Sequence, residues 1–196
     1  MRSFISEDDI EQAICNRLSQ AEYGWKRIEC CPKMEAQDEV ASTGRANSSE
    51  CILPEVFLNA LRRLNPQMKD EVLKSILQDF RKDYSGTDMT DTNYKFYNRI
   101  RNGIRVEVQK EGKEDFDIVK IIDFEQPERN DFHCVNQMWI KGHFRYRRPD
   151  VLLFVNGLPV VFIELKNSTV KIEESYNKNL VSYRSDIPNV FAMNQI

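Results

Sequence analysis

The sequence predicts a mixed α/β (α+β) fold: one domain in which helices come first and a central sheet follows. Three observations carry this. Apolar residues recur at helical spacing in several segments before Asn102-Gly103. From Ile104 onward they alternate with charge, as strands do. Two further runs, Val151 to Val155 and Val160 to Leu165, are apolar at nearly every position and flank an Asn156-Gly157 turn signal. Such runs belong in the middle of a sheet covered on both faces. Helices followed by strands, then by one more helix and strand, give a mixed sheet flanked by helices.

The elements follow in order. Ser6 to Gln20 reads as a helix: Ser6 caps it, Glu7, Asp8 and Asp9 suit its positive end, and Ile10, Ala13, Ile14 and Leu18 form its apolar stripe. Trp25 to Cys30 reads as a short strand. Residues 35–50 are polar and read as a mobile loop, because they bury too little to offset the entropy of ordering. Pro54 opens a helix that runs to Leu64. Val72, Leu73, Ile76, Leu77 and Phe80 mark a second helix, and Tyr94 to Arg101 a third. Residues 54–103 thus form a helical insert or subdomain. Strands are expected at Ile104 to Val108, in part of Asp117 to Phe124, and at Phe132 to Ile140. Val170 to Asp186 reads as a helix and Val190 to Met193 as a last strand. Residues 104–196 thus carry the sheet and the helix after it.

Composition excludes several classes. The 28 basic and 31 acidic side chains leave a net charge of −3, so the average charge argues neither for nor against DNA; only the field of one cleft matters. Five cysteines form no even framework, which argues against a secreted disulfide scaffold. No CxxC pair occurs and His133 and His143 are the only histidines, which argues against structural zinc. Neither a signal peptide nor a membrane span is legible, and a cytoplasmic protein is expected.

The chemistry sits in the hairpin. Asp150 opens its first strand, and Glu164 and Lys166 end its second, inside otherwise apolar text. Charges in such a setting are costly unless they are paired or bind a metal. Glu164 and Lys166 are two apart and share a strand face. Asp150 lies across the hairpin from them. Two carboxylates on neighbouring strands suit Mg²⁺, which keeps several waters and takes one or two carboxylates plus substrate phosphate. Lys166 can orient or help to deprotonate a bound water.

Register tests this. If Asn156 and Gly157 alone form the loop, Val155 pairs with Leu158 and Asp150 falls opposite Ile163. A three-residue loop, or one bulge, puts Asp150 opposite Glu164. Pro159 lacks an N–H and favours such an irregularity. The hairpin is therefore expected to depart from a plain two-residue turn.

Pro149-Asp150 with Glu164-Leu165-Lys166 resembles the PD-(D/E)xK nuclease motif. The wider text is more specific: Ile122-Asp123-Phe124, Asn130, Val135-Asn136-Gln137, Arg148-Pro149-Asp150, Asn156-Gly157-Leu158-Pro159 and Ile163-Glu164-Leu165-Lys166-Asn167 resemble, in that order, the N-terminal nuclease region of type I restriction R subunits. Glu7, Glu11 and Gly24-Trp25 resemble its start. The resemblance implies a restriction-endonuclease-like core and a DNA endonuclease with little sequence preference. It implies metal binding by Asp150, Glu164 and the Leu165 carbonyl, with Mg²⁺ as the ion and Mn²⁺ able to substitute. It implies catalytic roles for Lys166 and for an acidic residue of the first helix, Glu11 ahead of Glu7. It also implies a Gln-x-x-x-Tyr pair, read here at Asn179 and Tyr183, with a shorter Asn in place of Gln. The implied partners are double-stranded DNA and the modification (methyltransferase) and specificity subunits, with no membrane. No GxxxxGK[ST] phosphate loop occurs, so ATP is expected only in a motor outside this chain.

Lys141, His143, Arg145 and Arg147 alternate and could line one strand face toward phosphates. Two other readings stand beside the nuclease: an inactive module of the same fold that binds DNA or partner subunits, and a repair or mobile-element nuclease.

Overall fold

The computed structural model describes residues 6–30, 36–84, 86–110, 113–142, 145–166, 176 and 180–195. Helix α1 (Glu7–Leu18) starts in a capping box: Ser6 Oγ accepts from the Asp9 N–H and the Asp9 carboxylate accepts from the Ser6 N–H, both at 3.0 Å. Strand β1 (Lys26–Glu29) follows, then α2 (Ala36–Ser42), α3 (Pro54–Leu64), α4 (Asp70–Phe80) and α5 (Met89–Asn102). The second half supplies β2 (Ile104–Lys110), β3 (Lys113–Val119), β4 (Phe132–Asn136), β5 (Ile140–Lys141), β6 (Tyr146–Arg147), β7 (Val151–Val155) and β8 (Leu158–Ile163). Helices α6 (Val181–Asp186) and α7 (Pro188–Met193) follow.

The central sheet runs β1-β4-β7-β8. β1 is parallel to β4, and the other pairs are antiparallel. This is the mixed sheet flanked by helices that the sequence predicts. β2 and β3 pair apart as a hairpin, as do β5 and β6. Alternation along the strands divides the core in two. Val151 and Leu153 of β7 and Cys134 of β4 meet Cys15 of α1 on one face. Leu152, Phe154 and Val135 point the other way, into one cluster with Phe57 of α3, Leu73 and Phe80 of α4, Phe96 of α5, Tyr183 of α6 and Phe191 of α7. The helices of residues 54–103 therefore share a core with the sheet.

Five expectations need correction. Residues 36–50 are not the loop expected for 35–50: they contain α2 and a buried ion pair, Arg45 to Glu39 at 2.6 Å with both side chains fully out of solvent. Glu39 also accepts from the Trp139 N–H at 2.8 Å, and Arg45 donates to the Glu50 and Trp139 carbonyls at 3.0 Å. A polar segment orders here because its charges bond one another. Val190–Met193 lies in a helix, not a strand: four apolar residues fit either period, Pro188 opens α7, and all four are buried. β8 is an edge strand among the described residues, since α6 and α7, rather than a further strand, pack near it. The strand expected from Phe132 to Ile140 stops at Asn136, where Gln137 takes φ 58°. Lys141 to Arg147 is no single strand, because the chain reverses between Lys141 and Tyr146, which pair with each other.

Removing one member of a fully buried ion pair strands the other. Arg45→Met is expected to cost about 3–5 kcal/mol by chemical denaturation. Adding Glu39→Gln is expected to recover part of that loss, which a double-mutant cycle measures.

Candidate active site

The hairpin β7–β8 is built on Asn156 (φ 50°) and Gly157 (φ 81°), the paired positive angles of a tight two-residue turn. The turn is clamped. Asn156 accepts from the Asp131 N–H at 2.8 Å and donates to the Ile121 carbonyl at 2.9 Å. A Cβ at Gly157 would lie 2.5 Å from the Leu53 carbonyl oxygen and 2.8 Å from the Phe57 nitrogen, so only glycine fits against α3.

Val155 pairs with Leu158 and Phe154 with Pro159, but Leu153 pairs with Val161. Val160 is the extra residue of a β-bulge. The hairpin thus turns on two residues, and its irregularity comes directly after Pro159. Val151 then pairs with Ile163, and one step further Asp150 stands opposite Glu164. Without the bulge Asp150 would face Ile163.

The side chains meet at this sheet end. Asp150 Oδ2 accepts from the Leu165 N–H at 2.6 Å. Lys166 Nζ donates to Glu164 Oε1 at 2.8 Å and to the Leu165 carbonyl at 2.7 Å. From the other face, Glu11 of α1 accepts from Asn136 Nδ2 at 2.8 Å and from Gln137 Nε2 at 2.5 Å. Gln137 Nε2 also lies 3.3 Å from Asp150 Oδ1. Glu11 therefore reaches the site through Gln137 and not directly. Glu7, one turn earlier on α1, acts on Lys166 by its charge.

Burial pushes the Glu164 carboxyl above the ordinary carboxylate range; the negative charge of Asp150 adds to this, and Lys166 opposes it. Burial disfavours the Lys166 cation, but its hydrogen bond to Glu164 and the charges of Glu164, Asp150 and Glu7 outweigh that and raise it above an ordinary lysine. Lys166 thus bonds Glu164 and the Leu165 carbonyl as an ammonium. Burial and then the nearby Glu164 charge raise the Tyr183 hydroxyl. That hydroxyl donates to the Arg148 carbonyl at 3.2 Å, and its ring packs edge-on against Phe162 at 5.2 Å.

The candidate DNA contacts fare unequally. Arg147 is engaged, ion-paired with Asp186 at 2.5 Å and lying 5.2 Å over the Tyr183 ring. Lys141 and Arg145 are exposed and form no ion pair among the described residues. Asn179 and His143 lie outside the described residues. Sequence reasoning named Asn136, Gln137 and Arg148 only as matching text. Their bonds link parts of the chain more than ten residues apart, so no local spacing signals them.

No group of three or more His, Cys, Asp or Glu side chains gathers closely enough to hold a metal ion alone among the described residues. Two carboxylates with waters and a substrate phosphate are, however, the usual Mg²⁺ set. Glu164 Oε2 is buried and has no hydrogen-bond partner among the described residues. Among the described residues Asp150 Oδ1 has only the 3.3 Å amide contact. With the Leu165 carbonyl beside them, these oxygens fit a hard dication. No helix among the described residues is long and apolar enough to cross a membrane.

A carboxyl raised by burial favours the fold while protonated, and that contribution is lost as pH rises above 4.5 through its elevated value. Glu164→Gln, which keeps an oxygen for Lys166, is expected to match the wild type at pH 4. By pH 7 it is expected to melt about 2–4 °C higher by calorimetry.

Residues 4–196 match the family described as type I restriction enzyme R protein N terminus. The type I restriction enzyme HindI endonuclease subunit of Haemophilus influenzae is 31% identical over 97% of this chain. A Methanocaldococcus jannaschii protein with the provisional name type I restriction enzyme MjaIXP endonuclease subunit is 28% identical over 95% of it. This chain spans 18% of the length of each. The chain belongs to the type I restriction enzyme R protein N-terminus family.

Proposed function

We propose that this chain is the nuclease domain of a type I restriction endonuclease subunit and hydrolyses DNA phosphodiester bonds with Mg²⁺, showing little sequence preference of its own. The observation that carries this is the bulge at Val160, which sets Asp150 opposite Glu164 beside Lys166 and leaves an oxygen of Glu164 unbonded. Asp150, Glu164 and the Leu165 carbonyl would hold the ion. When bound, a divalent ion polarises the scissile phosphate and lowers the pKa of a bound water.

The chain's own residues do the rest. Asp150 is fixed by the Leu165 N–H and aimed by Gln137, and Glu11 holds Gln137 in turn. Lys166 bridges Glu164 and the Leu165 carbonyl as an ammonium. Its place is to donate to the attacking water or to the charge that develops on phosphate. Lys141 and Arg145 are exposed cations suited to the backbone of double-stranded DNA. Sequence recognition, methylation and ATP-driven movement would belong to specificity and modification subunits and to a motor elsewhere in the assembled enzyme.

Plasmid cleavage by that enzyme tests the reading. With Mg²⁺, and with Mn²⁺ in its place, the wild type is expected to cut. Lys166→Ala is expected to lose on the order of 10²–10³-fold in rate, and Asp150→Ala at least as much. Equal cutting by all three would leave this fold a DNA- or subunit-binding module.

A further inference from the structure

Arg148 stands two residues before Asp150, and the hydrolysis just described does not use it. Its guanidinium is held in place. Nε donates to the Gln137 carbonyl at 3.3 Å, and the guanidinium carbon lies 4.7 Å from the centre of the Trp139 ring. The Tyr183 hydroxyl pins its backbone carbonyl. A guanidinium offers five N–H donors in a planar fork. Here only the one on Nε has an acceptor among the described residues, and Nη2 is buried without a partner. Trp139 Nε1 is buried and unbonded as well. Buried donors left without acceptors destabilise the fold that holds them.

Among the described residues no carboxylate pairs with this cation. Glu39 feels its charge but is bonded to Arg45 and to the Trp139 N–H. Asp150 and Glu11 are bonded through Gln137. The other arginine of this stretch, Arg147, is paired with Asp186. Arg148 is thus a stacked, pre-oriented guanidinium with Nη2 buried and Nη1 without an acceptor among the described residues, tied to Gln137, which bonds both Asp150 and Glu11. Planar guanidinium forks match phosphate oxygens, and one held in advance loses little entropy on binding them.

We propose that Arg148 is a phosphate-binding residue, whose Nη1 takes an oxygen of the DNA backbone beside the phosphodiester at Asp150 and Glu164. This rests on the nuclease reading for its substrate. The contact is sequence-independent, so it fits a domain that cuts without choosing bases.

Salt dependence of DNA binding tests it. The full-length protein that carries this chain is titrated with a duplex of about 30 base pairs, in EDTA so that nothing is cut, between about 50 and 200 mM salt. Arg148→Met, which keeps an apolar stem on Trp139, is expected to bind about tenfold more weakly at low salt. Its plot of log affinity against log salt is expected to be shallower by about one. Arg148→Lys is expected to keep the wild-type slope with a smaller loss of affinity, and both variants to melt within about 2 °C of the wild type. A wild-type slope and affinity for Arg148→Met would overturn the proposal. So would loss of the fold in Arg148→Met, because a charge the fold requires is not free for phosphate. Plasmid cleavage by the wild type and Asp150→Ala, run in parallel, separates the two claims. A reduced slope without any cleavage sinks the nuclease and keeps the contact; cleavage with an unchanged slope does the reverse.

Discussion

The extra residue Val160 is the constraint from which the candidate site follows. In a strand, one residue of offset moves every later side chain to the opposite face. Before the bulge the pairing of β7 with β8 follows from the turn alone. After it, Val161 and Ile163 join Cys15 and Val151 on the α1 face, and Glu164 comes opposite Asp150 on the other. The bulge is held from several sides. Pro159 offers no N–H to the ladder, the Gln195 N–H donates to the Val160 carbonyl at 2.9 Å, and Gly157 is locked against α3. Slippage by one residue would break all three arrangements.

Placing two carboxylates at the end of an apolar hairpin has an electrostatic cost. Glu164 bears most of it, with an elevated pKa and one unbonded oxygen. Lys166 offsets part of it through a 2.8 Å hydrogen bond. A site that destabilises its own fold in this way is what a tightly bound dication would relieve. The same economy appears in Gln137, whose positive φ ends β4 and turns its amide toward both Glu11 and Asp150. That residue joins α1 to the hairpin, so the first helix and the motif reach each other through an amide.

Much of this was legible in advance. The helix over Pro54–Leu64 is marked by Pro54 and by its apolar spacing, and the strand over Val151–Val155 by an unbroken apolar run. Asp150, Glu164 and Lys166 stood out because charge is rare in such text. Pro159 pointed to the irregularity beside it. Other features were not legible. Glu39 and Arg45 read as loop because each alone is polar; only their mutual bond makes burial tolerable. Val190–Met193 read as strand because four apolar residues cannot distinguish a buried helix from a strand.

By itself, then, the sequence determined the local states: where helices start, which strands lie in the middle, which residues carry charge into an apolar hairpin, and which family the text resembles. Periodicity, caps and turn residues are properties of neighbours along the chain. Tertiary structure alone decided that the extra residue is Val160, that Glu11 bonds Gln137, that Arg147 is engaged with Asp186, and that Arg148 keeps Nη2 buried without a partner among the described residues. Each of these depends on atoms brought together from distant positions, and burial then sets what each contact is worth.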